Sequence, residues 1–510
     1  MSCDTGGTVA LWSSFQQQAK SLATRNAISS NSGEITFEEL YVAADRFAVS
    51  LAEAGVREGD VVALAVPNSL SLVPAALALM RLSCVVGLVS PNYRASELGA
   101  IARGVRPHCF LVAAPLAKVL DRSVIGDGAR VIDIPLVGDE LKLVFSSIPG
   151  SQPMLAASDA ERASRVPSDA ALLKFTSGST GIPKGIVWTA ANVMAEAENV
   201  VATLELTPED RSVAAIPIVH SYGFDLSVLP LLLAGCGLTL RDQFVPRRIV
   251  ADLASEDTTV FLGVPSMYRL LLQTHLASIP DLSHIRYFLS GTAHLSADFI
   301  RAFHDRFGVP ICQHYGSSET GAATNHVPSE VLAHPASVGL PMRNVQLAII
   351  DEAGQPVPSG TEGEVVVKSG AVAQGYVMGQ PEGRVVLRNG EFRTGDLGII
   401  GEDGYVYVTG RKDELINVGG FNVSPHEVTQ VLESFPAVRE AAVIGVRDAI
   451  GGSVVYAAVS LDSFATEQEI LTHCRQHLAD YKVPRRIDII TELPRGPSGK
   501  IKLRPADMAP

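Results

Sequence analysis

Basic residues are in short supply in this chain: 41 Lys and Arg stand against 54 Asp and Glu, a formal charge of −13. That balance argues against nucleic acid as the bulk partner and does not favour anionic membranes, though it leaves room for a locally basic pocket around an anionic ligand. Cysteine is sparse too. The six cysteines, Cys3, Cys84, Cys109, Cys236, Cys312 and Cys474, lie far apart with no C-x-x-C pair. Reduced thiols in a cytoplasmic protein are therefore expected, not a disulfide framework or a zinc site. No apolar run makes a clean membrane span. Leu70–Val89 is broken by Pro74 and Arg81, and Leu226–Leu240 is short and bounded by Asp225 and Arg241. MSCDTGGTVALWSSFQQQAK lacks a basic segment followed by an apolar one, so no signal peptide is expected. Repeats and low-complexity tracts are absent as well.

What is present is a large apolar fraction, 47% of 510 residues with only 19% charged, which implies a globular chain of about two to four domains. A Thr36…Glu39 capping box precedes a helical run over Ile35–Ala54. Strands expected at Arg130–Ile134, Val213–Ile218 and Thr259–Gly263 alternate with helices at Ala190–Leu204 and Pro265–His275, the rhythm of layered α/β structure with parallel sheets. From about Gly339 short alternating strands and tight turns take over. Beyond Gly410 the pattern returns to α+β, with helices near Pro425–Ser434 and Glu467–Leu478. The expected fold is α/β: a large N-terminal lobe, 1–409, of α/β subdomains plus a β-rich subdomain, and a small α+β C-terminal lobe, 410–510.

Phe175–Ile186, FTSGSTGIPKGI, packs three glycines, four hydroxyl residues and a lysine into twelve positions. Glycine lets backbone N–H groups converge on an anion, and Ser and Thr add donors. Thr176, Ser177, Gly178, Ser179, Thr180, Gly181 and Lys184 meet these needs for phosphate. The pattern is not a Walker loop, because Ile182 and Pro183 separate the second glycine from the lysine and Gly185 follows it. A flexible surface turn is the plainer alternative.

Six further segments follow in order: IPIVHSYG (Ile216–Gly223), LSGTAHL (Leu289–Leu295), QHYGSSETG (Gln313–Gly321), GEFRTGDLG (Gly390–Gly398), YVTGRKDELINVGGFNVSPHEV (Tyr407–Val428), and YKVPRRI with LPRGPSGKIK (Tyr481–Ile487, Leu493–Lys502). In this order and spacing the chain resembles the acyl-adenylate-forming superfamily of acyl-CoA and aryl-CoA synthetases, luciferase and peptide-synthetase adenylation domains. The resemblance runs from about residue 35 to 503.

It implies a two-step reaction: a carboxylate attacks the α-phosphorus of ATP, then a thiol displaces AMP. Thr176–Lys184 would hold the β- and γ-phosphates, Glu319 would bind Mg²⁺, and Ser318 would reach the α-phosphate. Gln313, His314, Tyr315 and Gly316 would line the nucleotide site, with Tyr315 stacked on adenine and Gly291, Thr292 and Ala293 passing close to the base. Asp396 would accept from the ribose and Arg411 would assist. Lys500 would bridge carboxylate and α-phosphate oxygens as charge develops. The C-terminal lobe would turn on Asp413, bringing Gly419 and Gly420 beside the pantetheine arm.

The acyl pocket implied by the resemblance involves His220, Tyr222, Gly291, Gly316 and Val338. Glycine at 316 would leave that pocket open, so an acid larger than propionate is expected. Asp225 has two readings, a cap for the apolar helix that follows or a partner for a substrate ammonium. The thiol acceptor is CoA or a carrier-protein phosphopantetheine; Gly419 stands where many CoA synthetases have a basic residue. Expected partners are a small-molecule carboxylic acid and, on the second reading, an acyl carrier protein, for a monomer or homodimer with no nucleic acid and no membrane span. A non-catalytic ATP binder or a luciferase-like oxygenase is the reading from another class.

Overall fold

A computed structural model describes residues 6–113, 116, 120, 124, 130–134, 166–177, 183–379, 387, 388, 390–418, 421–447, 453–495, 501 and 503. The chain divides into two compact units. The first comprises Met1–Pro335, Gly339–Gln346 and Val367–Phe392; the second comprises Ala336–Val338, Leu347–Val366 and Arg393–Pro510. The boundary expected at 409/410 thus falls inside the second unit.

Two sheets build the first unit. Among the described residues one has seven strands, in the order Gly375–Met378, β2 (Pro183–Thr189), β1 (Ala170–Ser177), Val85–Leu88, Val61–Ala65, Cys109–Ala113 and Arg130–Ile134. Its inner strands run parallel and are buried along their length, as Val61–Ala65 and Val85–Leu88 show, which is why they read as unbroken apolar runs. Helix α1 (Ala190–Leu204) follows β2, opened by a box in which Thr189 and Asn192 cap each other. The second sheet has nine described strands, with β3 (Ile311–Ser317) and β4 (Gly321–Asn325) next to its Leu340–Pro341 edge. Six of them, from Asn26–Ser30 through Gly237–Leu240, Arg211–Ala214, Val260–Gly263 and Tyr287–Ser290 to β3, pair in parallel, whereas β3 and β4 are antiparallel.

Local chemistry sets the helix starts. Thr36 Oγ1 accepts the Glu39 N–H at 3.2 Å and Glu39 Oε2 accepts the Thr36 N–H at 2.8 Å, so the helix runs Phe37–Glu53. The two apolar stretches checked for spans are broken into Leu72–Arg81 plus Val85–Leu88, and a π turn Phe224–Val228, helix Leu229–Ala234 and strand Gly237–Leu240. Among the described residues no helix is long and apolar enough to cross a membrane. The strand expected at Val213–Ile218 is instead Arg211–Ala214. It stops early because Asn68 takes over the backbone beyond it, donating to Ile216 and Arg241 oxygens at 2.8 and 3.0 Å and accepting from Ile218 N–H at 3.0 Å.

In the second unit, Asp396–Ile400 of β5 (Glu391–Ile400) pair antiparallel with β6 (Val406–Arg411). Further on, Val438–Arg447, Ser453–Leu461 and Arg486–Ile489 form a three-stranded sheet carrying helices Pro425–Glu433 and Glu467–His477. Val428 and Leu432 from one helix and Ile470 and Cys474 from the other bury against Ala457 and Val459 in its core.

Candidate active site

β1 and β2 are the two arms of an antiparallel hairpin. Thr176 faces Lys184 across it and Ser177 faces Pro183, so the hydroxyl- and glycine-rich segment begins on one arm and its lysine stands on the other. The segment is followed by a strand where a Walker loop would lead into a helix, which agrees with the displaced lysine. Gly178, Ser179, Thr180 and Gly181 lie outside the described residues, as do Gly419, Gly420 and Lys500.

His220 opens the short helical turn Ser221–Gly223. Burial pulls its pKa below the ordinary imidazole value, and its Nε2 has no hydrogen-bond partner among the described residues. The ring is a neutral donor or acceptor held in a desolvated place. Tyr222 spends its hydroxyl on the Leu289 carbonyl, 2.9 Å away. Its ring lies so close to the backbone of Gly291 that a Cβ there would meet Tyr222 Cε2 at 2.8 Å. The next residue, Thr292, takes φ of +74°, a conformation a β-branched side chain rarely adopts and one that tends to mark functional loops.

Between β3 and β4 the chain makes a tight turn stitched by its own hydroxyls. Ser317 N–H donates to Thr320 Oγ1 at 3.0 Å, and Ser317 Oγ accepts from the N–H of both Glu319 and Thr320 at 3.2 Å. Tyr376 donates to Glu319 Oε1 at 2.9 Å, fixing the carboxylate. Ser318 is held twice, its carbonyl by Trp188 Nε1 at 2.9 Å and its hydroxyl 2.7 Å from that of Ser221. These two contacts tie the β2 arm, the His220 turn and the Ser318–Glu319 turn together. Among the described residues no three His, Cys, Asp or Glu side chains cluster as a ready-made metal site. The donor set suits Mg²⁺, which is commonly held by one or two carboxylates plus substrate phosphates.

Three expectations need correction. Asp225 neither caps a helix nor stands open to a substrate ammonium. It lies inside the π turn, 3% exposed, with its two carboxylate oxygens 2.9 and 2.6 Å from Lys174 Nζ. Gln313 is buried and its amide is spent on the backbone, Oε1 accepting from Leu295 N–H and Nε2 donating to Pro335 O, at 2.9 and 3.1 Å. Gly316 does not hold the acyl pocket open, because a Cβ there would stand 2.2 Å from the Gly321 carbonyl oxygen. Its glycine is required by the bulged β3–β4 crossing.

His314 sits on the other face of β3 from Gln313, its ring 5.6 Å from that of Tyr222, and burial drives its pKa down to about 4. Tyr315 pairs with Thr324 in the strand register. In the second unit Asp396 and Arg411 face each other across β5–β6, with Arg411 Nη1 2.7 Å from Asp396 Oδ1 and Nε 3.1 Å from Asp413 Oδ1. Val338 belongs to the same unit, its N–H donating to Val406 O at 2.8 Å.

Family models match along most of the length, that of the AMP-binding enzyme over residues 15–377 and that of the AMP-binding enzyme C-terminal domain over 427–500. The chain belongs to the AMP-binding enzyme family. It is 33% identical to 2-succinylbenzoate–CoA ligase of Geobacillus kaustophilus and 31% identical to oxalate–CoA ligase of Arabidopsis thaliana, each alignment covering 96% of both chains. The solved structure of o-succinylbenzoate coenzyme A synthetase from Bacillus subtilis with ATP and magnesium superposes with a TM-score of 0.80 at 26% identity, covering 96% of this chain and 98% of that one. These likenesses make this AMP-binding enzyme an acid–thiol ligase of the acyl-CoA synthetase kind.

Two contributors to the site had not been expected from sequence. Lys174 is one, since a lysine in an apolar strand gives no hint of a partner 51 residues away. Asn68 is the other, with partners as far as 173 residues along the chain. The only local signal for Lys174 is the oddity of a charge inside the run AALLKF.

Proposed function

We propose that this enzyme activates a carboxylic acid as its acyl-adenylate and transfers the acyl group to CoA, the glycine at 316 no longer supporting the expectation of an acid larger than propionate. The observation that supports this most directly is the joining of the hairpin arm, the His220 turn and the Ser318–Glu319 turn through Trp188 and Ser221. Hydroxyl, ammonium, imidazole and carboxylate groups are thereby carried on neighbouring segments of one unit, as a reaction between two anions requires.

On this reading Thr176 and Lys184 flank the loop that grips the departing pyrophosphate. Ser318 donates to the α-phosphate, and His220, uncharged, orients the acid without neutralising its nucleophilic oxygen. Glu319 holds Mg²⁺, which when bound offsets phosphate charge. Asp396 and Arg411 serve the ribose, with Tyr315 against adenine. Lys500 is the late cation, brought in by a mobile lobe, 410–510, that turns on Asp413; the same turn presents Gly419 and Gly420 to pantetheine.

Asp225 favours a plain acid over an amino acid, since Lys174 already neutralises its carboxylate. With Gly316 explained by packing, the size of the acid rests on the screen itself. The test is pyrophosphate release over oxalate-sized, fatty, aryl and amino acids, with and without CoA, followed by mass spectrometry of products made with CoA or with a phosphopantetheinylated carrier. Release with a plain carboxylic acid and an acyl-CoA product are expected. Turnover confined to amino acids, or acyl transfer to the carrier alone, would favour a free-standing adenylation enzyme.

A further inference from the structure

Behind the Ser317–Gly321 turn lies a buried charged cluster whose charged groups are spent on one another, on an aromatic ring and on backbone. Lys174, Asp225 and Glu196 are 1%, 3% and 0% exposed. Besides its two contacts to Asp225, Lys174 Nζ lies 3.3 Å from the centre of the Trp188 ring, a cation–π contact. Glu196 Oε1 accepts the Ala322 N–H at 2.8 Å, and its Oε2 has no hydrogen-bond partner among the described residues. Gly321 passes so close that a Cβ there would stand 2.2 Å from Oε2.

Each member is anchored to a segment that carries a substrate-facing residue. Lys174 precedes Thr176 on β1, Asp225 follows the His220 turn, and Trp188 lies on β2 beyond Lys184 and grips Ser318. Glu196 on α1 grips Ala322, just past Glu319. Stability alone does not account for such an arrangement, because well-packed apolar residues commonly replace a buried ion pair at no loss. What charged hydrogen bonds add is direction, a fixed distance and angle between the segments that bear them.

We propose that Lys174 and Asp225, backed by Trp188 and Glu196, are positioning residues that hold the phosphate-loop strand, the His220 turn and the Ser318–Glu319 turn in register for adenylation. The proposal rests on the adenylation reading above. The Lys174–Asp225 pair carries no net charge, so the cluster is neutral while Glu196 keeps its proton. Burial pushes the Glu196 carboxyl up to about 8, Asp225 adds to the rise, and Lys174 and the Ala322 N–H oppose it. Asp225 from the π turn and Lys174 from β1 are the charged groups that face it; β4 presents backbone, and the helices Gly6–Ser21 and Leu229–Ala234 that also pack on α1 add no charge there. Losing that proton places net negative charge directly behind loops meant to hold phosphates.

The test compares wild type with Lys174→Met, Asp225→Leu, their double variant and Glu196→Gln, all in the full chain. Three measurements are made: thermal midpoint, ATP–pyrophosphate exchange with the acid found in the screen, and hydrogen exchange of peptides covering 170–177, 216–225 and 313–322. The double variant should regain a wild-type midpoint yet keep kcat depressed about 100-fold, with KM for ATP within about threefold, and all three peptides should exchange faster together. Wild-type exchange activity should fall above pH 8, and Glu196→Gln should remove that fall. A double variant with wild-type midpoint, kcat and peptide protection would overturn the proposal. So would an unchanged alkaline fall in Glu196→Gln, which decides the matter if the double variant does not fold. If no acid supports exchange even in wild type, the adenylation reading fails, and the hydrogen-exchange comparison still decides whether the cluster holds the three segments.

Discussion

Lys174–Asp225 in the first unit and Arg411–Asp396 in the second are cation–aspartate pairs of nearly equal length, 2.6 and 2.7 Å, in opposite surroundings. The former side chains are 2% and 4% exposed, the latter 34% and 14%. Desolvation makes the buried pair expensive to disturb, because either partner left alone is a stranded charge. Water screens the exposed pair, and Arg411 has alternatives at hand, with Asp413 at 3.1 Å and Glu414 at 3.7 Å. The contrast matches two tasks. Segments meant to keep one geometry are tied by the first kind of pair, and a linker proposed to change partners carries the second.

The sharpest way to break this contrast is to cut both pairs alike. Asp225→Asn should cost about 3–5 kcal/mol in denaturant unfolding by stranding the Lys174 ammonium, whereas Asp396→Asn should cost under about 1 kcal/mol; equal losses would erase the distinction. Next in size comes a separation of half-reactions in the second unit. Lys500→Ala should lower acid-dependent pyrophosphate exchange about 100- to 1,000-fold and leave thioester formation from supplied acyl-adenylate within a few-fold of wild type. Parallel loss of both would remove Lys500 from the adenylation step.

Glu196 sharpens the comparison through pH. Its folded pKa, about 8, stands above the ordinary 4.5, so the native state holds this proton more tightly than the unfolded chain. Its contribution is complete below pH 4.5 and is lost as pH rises through about 8. Thermal midpoints should therefore fall between pH 5 and 9 in wild type and fall less in Glu196→Gln. The smallest effect is expected at Glu319. Tyr376→Phe removes one hydrogen bond, worth about 1 kcal/mol, and should raise the Mg²⁺ concentration needed for half-maximal exchange by about fivefold while leaving the thermal midpoint nearly unchanged.

Most of the fold's layering was legible from periodicity and caps. Ala190–Leu204 and the Thr36 box came out as read, because a Thr or Asn at the right spacing settles a helix start locally. What escaped was whatever depends on distant partners. Asp225 resembled a cap because Lys174, its true partner, is far away in sequence, and Gly316 resembled a vacancy because the Gly321 carbonyl that fills the space is brought there by a bulge. Gln313 was placed at the nucleotide by its motif position, yet β-strand alternation turns it inward. A motif tells which residues assemble; whether a side chain points at ligand or at backbone is decided by the register of its strand.

Trp188 is one of two tryptophans in the chain, the other being Trp12. Its indole carries an ammonium at 3.3 Å over the ring and a hydrogen bond to Ser318 at its nitrogen. The emission colour of such a chromophore follows the local electric field, so the enzyme contains its own optical gauge. With Trp12 replaced by Phe, a shift in fluorescence on mixing with nucleotide would record movement of the Ser318 segment in real time, without any attached dye.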